Sequence, residues 1–320
     1  MEVVPGVHRI DAEVGGRPLH LFLFLGELRL LLDAGCSSSV EEFIAPYLAG
    51  LGLGIGNLDI LVVSHCDLDH QGGAHALKRE NPSLLVTCGA LDVPLVSDPE
   101  LLIARRYEAF RADHGIGYDA ETLAWFREMC GPAQPVDIGW AGDEILRLCP
   151  DWELRFLRVP GHSPGHLAIS DRRSGALFSG DCLQGSVYLG LDGTPRLCPT
   201  YTHVDPYLET AAAIDSLAPS ELHGCHWPAK RGDEVAAFLA ETRDYVERID
   251  ALVVAGLSHR PTTLRELIGR VNEQLDEPWR NGLEQELVYS VHGHLERLVE
   301  RGLASVDRNE NGYLVYRGAA

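Results

Sequence analysis

The segment SHCDLDHQGG places His65, Asp67, Asp69 and His70 within six residues, directly after the apolar run LDILVV. Imidazoles and carboxylates at this density suit a divalent transition ion such as zinc, iron or manganese. Three further candidate ligands stand in the same kind of place: His162 follows LRFLRVPG, Asp181 follows ALFSG, and His226 follows SELHGC. The ends of strands are where α/β sheets keep their sites, because the backbone turns there and side chains converge on the crevice. Fourteen histidines in 320 residues are a surplus that a metal centre would account for. Satisfied polar residues at strand ends are the plain alternative, but that requires separate accidents at every one of these points.

The elements that must hold these residues are legible in outline. Apolar runs at 19–25 and 28–32, split by Gly26-Glu27, read as a hairpin. A helical stretch over 40–51, the strand-like LDILVV, an Ala/Leu/Lys helix and SLLVTC follow, a pattern of layered α/β structure. Residues 94–135 turn helical and amphipathic, with Tyr107, Phe110, Trp125 and Phe126 at mixed spacing, and read as a helical cap inserted into the sheet pattern. Short strands closed by Gly, Pro or Asp return at 144–148, 154–159, 166–170 and 176–179, followed by helices near 207–217 and 234–254. A boundary falls near Gly256–Pro261, and residues 256–320 read as two helices and a hairpin around Asn311-Gly312, a small winged-helix-like domain.

These motifs, in this order, resemble the metallo-β-lactamase-fold hydrolases over about residues 7–254. The Asp33-Ala-Gly turn matches the family's early Asp-x-Gly, and HLERLVERG more loosely resembles a winged-helix segment appended to one branch. The resemblance implies an αβ/βα sandwich over 1–255 carrying two divalent ions, zinc first. One would be held by His65, Asp67 and His162, the other by Asp69, His70 and His226, with Asp181 bridging. It makes a water shared by the ions the nucleophile, with Asp69 both ligand and part of the catalytic machinery, so that no Ser or Cys nucleophile is required. The family normally has His where this chain has Asp67. The extra carboxylate lowers the charge of the centre and moves the metal preference towards iron or manganese. Flavodiiron proteins of the same fold carry a carboxylate here too, which keeps an iron redox enzyme as a second reading, although this tail is too short for their flavodoxin-like domain.

Around the ligands, Asp33 and His166 are expected to support the site from behind. His203, in the loop TYTHVDP, and Tyr188 and Tyr201 are candidates for substrate contact or proton donation, and the lactonase branch's Tyr after the bridging Asp is matched by Gln184. His223, His292 and His294 read as structural, and Cys66, Cys182 and Cys225 as packing beneath the site.

Composition excludes several classes. With 27 Lys+Arg against 47 Asp+Glu, a net charge of −20, the chain is a poor binder of nucleic acid or anionic membrane. The tail from Leu257, expected to be basic if it gripped nucleic acid, carries eight Arg and no Lys against ten Asp+Glu, and is expected instead to pack on the hydrolase domain or form a homodimer contact. An RNA-cleaving nuclease is therefore the weakest alternative. No charge-free stretch spans a bilayer, no signal sequence opens the chain, and the eight scattered cysteines read as reduced thiols, so a cytoplasmic enzyme is expected. The function expected is hydrolysis of an ester, thioester, lactone or related acyl bond in a small molecule.

Overall fold

The computed structural model describes residues 1–319. In the first sheet β1 (Glu2–Val4), β2 (Val7–Val14), β3 (Arg17–Leu25), β4 (Arg29–Leu32), β5 (Ile60–Val63), β6 (Leu85–Gly89) and β7 (Ile138–Trp140) lie side by side in chain order. The pairs are antiparallel as far as β4 and parallel from β4 to β7. Parallel neighbours need crossovers. Helical turns over 40–50 and the helix Ala74–Glu80 supply the first two, and the cap supplies the third. In the second sheet β8 (Ile145–Cys149), β9 (Trp152–Arg158), β10 (Leu167–Asp171) and β11 (Ala176–Gly180) form an antiparallel meander. A short hairpin, β12 (Tyr188–Leu189) with β13 (Pro195–Leu197), and the helix Val204–Leu217 lead to β14 (Glu221–Gly224), which runs parallel to β11 with β15 (Lys230–Arg231) on its edge.

Strand alternation sorts the cores. Phe22, Phe24, Leu30, Leu32, Ile60 and Val62 face Trp152, Leu154, Phe156, Leu167, Ile169 and Phe178 between the sheets. Their neighbours Leu21, Leu23, Leu31, Leu61 and Val63 face outward onto Ile44, Leu48 and Leu77 of the helical layer. The second sheet is covered by Ala211, Ile214, Val235, Phe238 and Leu239 from two helices, 204–217 and Asp233–Gly256. This is the αβ/βα sandwich. The first sheet begins earlier than the apolar run at residue 19, with β1 and β2 at its edge. In β2 only Val7, Ile10, Ala12 and Val14 are buried, and His, Arg, Asp and Glu stand between them, so no apolar run marks it.

The cap is helical as expected: Val93–Ser97, Pro99–Leu102, a wide turn over Ile103–Tyr107, Arg111–His114 and Ala120–Cys130. Beyond the helix Asp233–Gly256 come β16 (Thr262–Thr263), the helices Leu264–Glu273 and Val288–Glu300, and the hairpin β17 (Ala304–Arg308) and β18 (Leu314–Gly318), in the sheet order β16-β18-β17. A reciprocal cap opens the first helix: Thr263 Oγ1 accepts from Glu266 N–H, and the Glu266 carboxylate accepts from Thr263 N–H at 2.8 Å. This tail does not keep a core to itself. Leu264, Leu267, Val291 and Leu295 pack with Tyr201, Tyr207 and Val253 of the sandwich side and with Phe110 and Ile116 of the cap. All eight cysteines are free thiols, seven of them buried.

Candidate metal centre

β5 ends at Val63 and delivers Ser64 and His65 into the interior, both fully buried. Asp33, turned into the left-handed region at φ 66°, reaches across from the end of β4. Its Oδ1 accepts from the Ser64 backbone N–H at 2.7 Å, and its Oδ2 accepts from Ser64 Oγ at 2.9 Å and from His70 Nδ1 at 2.9 Å. With the hydroxyl proton committed to Asp33, Ser64 Oγ is the acceptor for His65 Nδ1–H at 3.0 Å. Asp33 thereby sets both rings so that their Nε2 atoms are bare. His226, in the loop after β14, donates Nδ1–H to the Pro18 carbonyl at 2.7 Å, and its Nε2 lies 3.3 Å from Asp69 Oδ2 and 3.5 Å from Asp181 Oδ2. Orienting partners of this kind are what hold an imidazole ready for a metal.

Asp181 follows β11; its backbone N–H donates to His166 Nε2 at 3.0 Å and its Oδ2 accepts from the Tyr188 hydroxyl at 3.0 Å. His166 also stacks on His65, with centroids 4.6 Å apart and planes 11° apart. His162 comes from the β9–β10 connection and faces Asp67. Among the described residues, His65/Asp67/His162, Asp69/His70/His226 and His65/His70/Asp181 each gather ligand atoms within 4.8 Å of one another. A divalent cation fits this place on a further observation: His65 Nε2, His70 Nε2 and Asp181 Oδ1 are buried and have no hydrogen-bond partner. Burial alone would raise the Asp69 carboxyl, yet His70 and His226 outweigh it and hold it below the usual carboxylate range.

The structure brings together all seven residues expected to ligate, with Asp33 and His166 behind them. Tyr188 lines the adjoining cleft, but its hydroxyl is bound to Asp181 rather than free to donate to a leaving group. Tyr201 is a correction: it is fully buried in the core shared with the tail, stacked on Tyr207 and bonded to His294 Nε2 at 3.0 Å, and does not line the cleft. His203 is a second correction, an exposed side chain at the start of the helix 204–217 that does not line the cleft either. Gln184 proves to be an orienting residue, its amide nitrogen 2.8 Å from His162 Nδ1.

Arg106 was not anticipated. It reaches from the wide turn of the cap, grips both Asp67 oxygens (Nη2–Oδ2 2.7 Å) and donates Nη1 to the His162 carbonyl at 3.1 Å. Burial would raise the Asp67 carboxyl, but the guanidinium, with His162 and His65, holds it well below the usual range. The only sequence signal was a second Arg in LLIARRYEAF falling on the buried side of the turn, which looks like any surface charge without the fold. The cleft, about 370 Å³, is walled by Tyr107, Trp125 and Phe126 of the cap and Leu283, Glu286 and Tyr289 of the tail. Phe110 instead packs on Tyr289, centroids 5.5 Å apart, and takes no part in that wall.

An αβ/βα sandwich whose loops gather buried His and Asp donors beside an apolar-walled cleft defines a metal-dependent hydrolase. The chain belongs to the metallo-beta-lactamase superfamily, whose family model matches residues 21–221. It is 25% identical over 251 residues, 75% of each chain, to a hydroxyacylglutathione hydrolase of Cupriavidus metallidurans. Two solved structures share the fold: a metallo-beta-lactamase family protein from Thermus thermophilus (TM-score 0.75, 20% identity, 99% of this chain and 100% of that one) and a beta-lactamase domain protein from Burkholderia ambifaria (TM-score 0.76, 19% identity, 100% and 93%). No helix among the described residues is long and apolar enough to cross a membrane.

Proposed function

We propose that the protein hydrolyses an acyl thioester or a closely related ester of a small molecule, with zinc as the first candidate metal. The observation that supports this most directly is the set of bare, buried donors, His65 Nε2, His70 Nε2 and Asp181 Oδ1, beside a cleft of small-molecule size. The thioester is taken from the Cupriavidus relative, a hydroxyacylglutathione hydrolase by name. A divalent ion supplies a Lewis acid that polarises the scissile carbonyl and makes water nucleophilic at neutral pH.

The chain's own residues do the rest. Asp33 orients His70 and, through Ser64, His65; the Pro18 carbonyl orients His226; His166 and Tyr188 fix Asp181 from two sides. Tyr107, Trp125 and Phe126 present apolar surface to the acyl group and exclude water around it. Residues 256–320 act as a winged-helix-like unit whose part in the activity is to close the cleft with Leu283, Glu286 and Tyr289. The test is hydrolysis by purified, zinc-loaded protein of a hydroxyacyl thioester of glutathione beside simple esters and a lactone. Turnover of the thioester that disappears with His226→Ala is expected, and a zinc-loaded, folded protein that cleaves none of the panel overturns the proposal.

A further inference from the structure

The geometry points to a centre that holds one divalent ion rather than two, with the Arg106 guanidinium fixed in the other half as a permanent positive charge. The inference rests on the metal-dependent reading above and deepens it.

Asp67 has no lone pair left for a cation. A carboxylate offers about four acceptor positions. Oδ1 takes Arg106 Nε and the Tyr107 hydroxyl at 3.2 Å; Oδ2 takes Arg106 Nη2 at 2.7 Å and His162 Nε2 at 2.9 Å. Tyr107 is itself oriented, because its oxygen accepts the Leu68 backbone N–H at 3.0 Å and leaves its proton for Asp67. The knot is side chain to side chain and part-buried at the cleft floor, where a bidentate charge-assisted pair is strong and stripping one partner is costly.

His162 is turned away from metal ligation by its tautomer. Gln184 Oε1 accepts the Thr200 backbone N–H at 2.9 Å, so the other end of the amide, Nε2, is the atom that faces His162 Nδ1 at 2.8 Å. An amide nitrogen donates, so Nδ1 must accept, and in a neutral ring the proton then sits on Nε2 and points to Asp67. A ligating imidazole needs that nitrogen bare. Arg106 Nη2 lies 3.1 Å from the same Nε2, both donors being directed at Asp67 Oδ2.

The other half is not engaged by a guanidinium. His70 has a bare Nε2, Asp181 Oδ1 has no partner, and His226 Nε2 faces Asp69 and Asp181, while the bare Nε2 of His65 stands between the halves, 3.5 Å from Asp67 Oδ2. One ion would be held by Asp69, His70 and His226, whose ligand atoms lie within 4.8 Å of one another, with Asp181 beside His226 at 3.5 Å and His65 at the edge. Charge agrees: Arg106 cancels Asp67, and the ion's two charges are matched by Asp69 and Asp181. The sequence-based assignment of a second ion to His65, Asp67 and His162 is what this replaces.

The test is metal content. Wild-type protein equilibrated with excess zinc and freed of loose metal should carry about one ion per chain by native mass spectrometry, since ligand number and availability set the count. Two ions per chain overturn this inference alone and leave the hydrolase standing. None overturns the metal-dependent function as well. In a zinc competition titration Asp67→Asn is expected to keep its affinity within about threefold, whereas Asp69→Asn loses tenfold or more, the range seen when a coordinating shell is damaged. Equal losses in the two variants, both folded by circular dichroism, count against the inference. If Asp67→Asn leaves Arg106 stranded and does not fold, the wild-type stoichiometry decides by itself.

Discussion

Asp33 Oδ2 accepts from His70 Nδ1 at 2.9 Å, which leaves that ring's Nε2 as the bare nitrogen facing the candidate metal site. The same carboxylate holds the Ser64 backbone and hydroxyl, so one residue aims two histidines. Asp33→Asn keeps the size and tolerates the left-handed backbone but removes the charge. Zinc affinity is expected to fall about 10- to 100-fold. A competition titration against a chromophoric chelator measures it; an unchanged affinity means that His70 is oriented by something else.

Removing metal should weaken the fold as well as the activity, because only the native chain gathers the donors. At free zinc 100 times Kd the linkage stabilises by about 2.7 kcal/mol. Chelation should lower the melting temperature and abolish thioester hydrolysis, and added zinc should restore both. A melting curve indifferent to chelator argues against a metal in the buried cluster.

Gly89, at the end of β6, stands where a Cβ would lie 1.7 Å from the Gly165 carbonyl oxygen in the PGHSPGH loop that carries His162. Backbone cannot yield as a side-chain tip does. Gly89→Ala should cost about 1–3 kcal/mol or more, as overpacking does. Chemical denaturation checks it, and a neutral result shows that the loop can move without disturbing the sheet.

The seam between cap and tail should be acid-sensitive. His114 and His292 lie edge to face, 5.2 Å apart, and burial lowers each to about 4. Asp113 opposes the shift, while the charged surroundings also include Arg308 on Asp113 and Glu296 near His292. Below about pH 6.5 the unfolded chain takes up protons that the folded seam refuses, so stability falls progressively from there towards pH 4. Melting temperatures should drop over that window, and less steeply in the double variant His114→Phe, His292→Phe.

Because the tail shares a core with the sandwich and cap, it should not unfold alone. Leu295→Ala, at a fully buried position in that shared core, should cost about 2–5 kcal/mol. It should shift a single calorimetric transition to lower temperature. Two separated transitions mean that residues 256–320 are an independent unit.

Motif spacing marked the seven expected ligands, since His65, Asp67, Asp69 and His70 sit within one short loop and His162, Asp181 and His226 each close an apolar run, and the structure brings them near one another. Local chemistry of this kind survives in the sequence because loop and strand end are neighbours along the chain. It also delivered the layered fold, the cap and the helix-and-hairpin tail, all of which follow from periodicity and turn residues. β1 and β2 were missed because half-exposed strands carry no apolar run. What only the tertiary structure decided are relationships across long separations. Arg106 meets Asp67 from 39 residues away, the Gln184 amide reaches His162 Nδ1 from 22 away, and Glu286 joins the cleft wall beside Tyr118, 168 residues distant. Tyr201, a candidate for substrate contact or proton donation by its hydroxyl, points instead into the core that the tail shares with the sandwich and the cap. The direction of a side chain depends on which layer packs against it, and that is a property of the folded layers rather than of any local pattern.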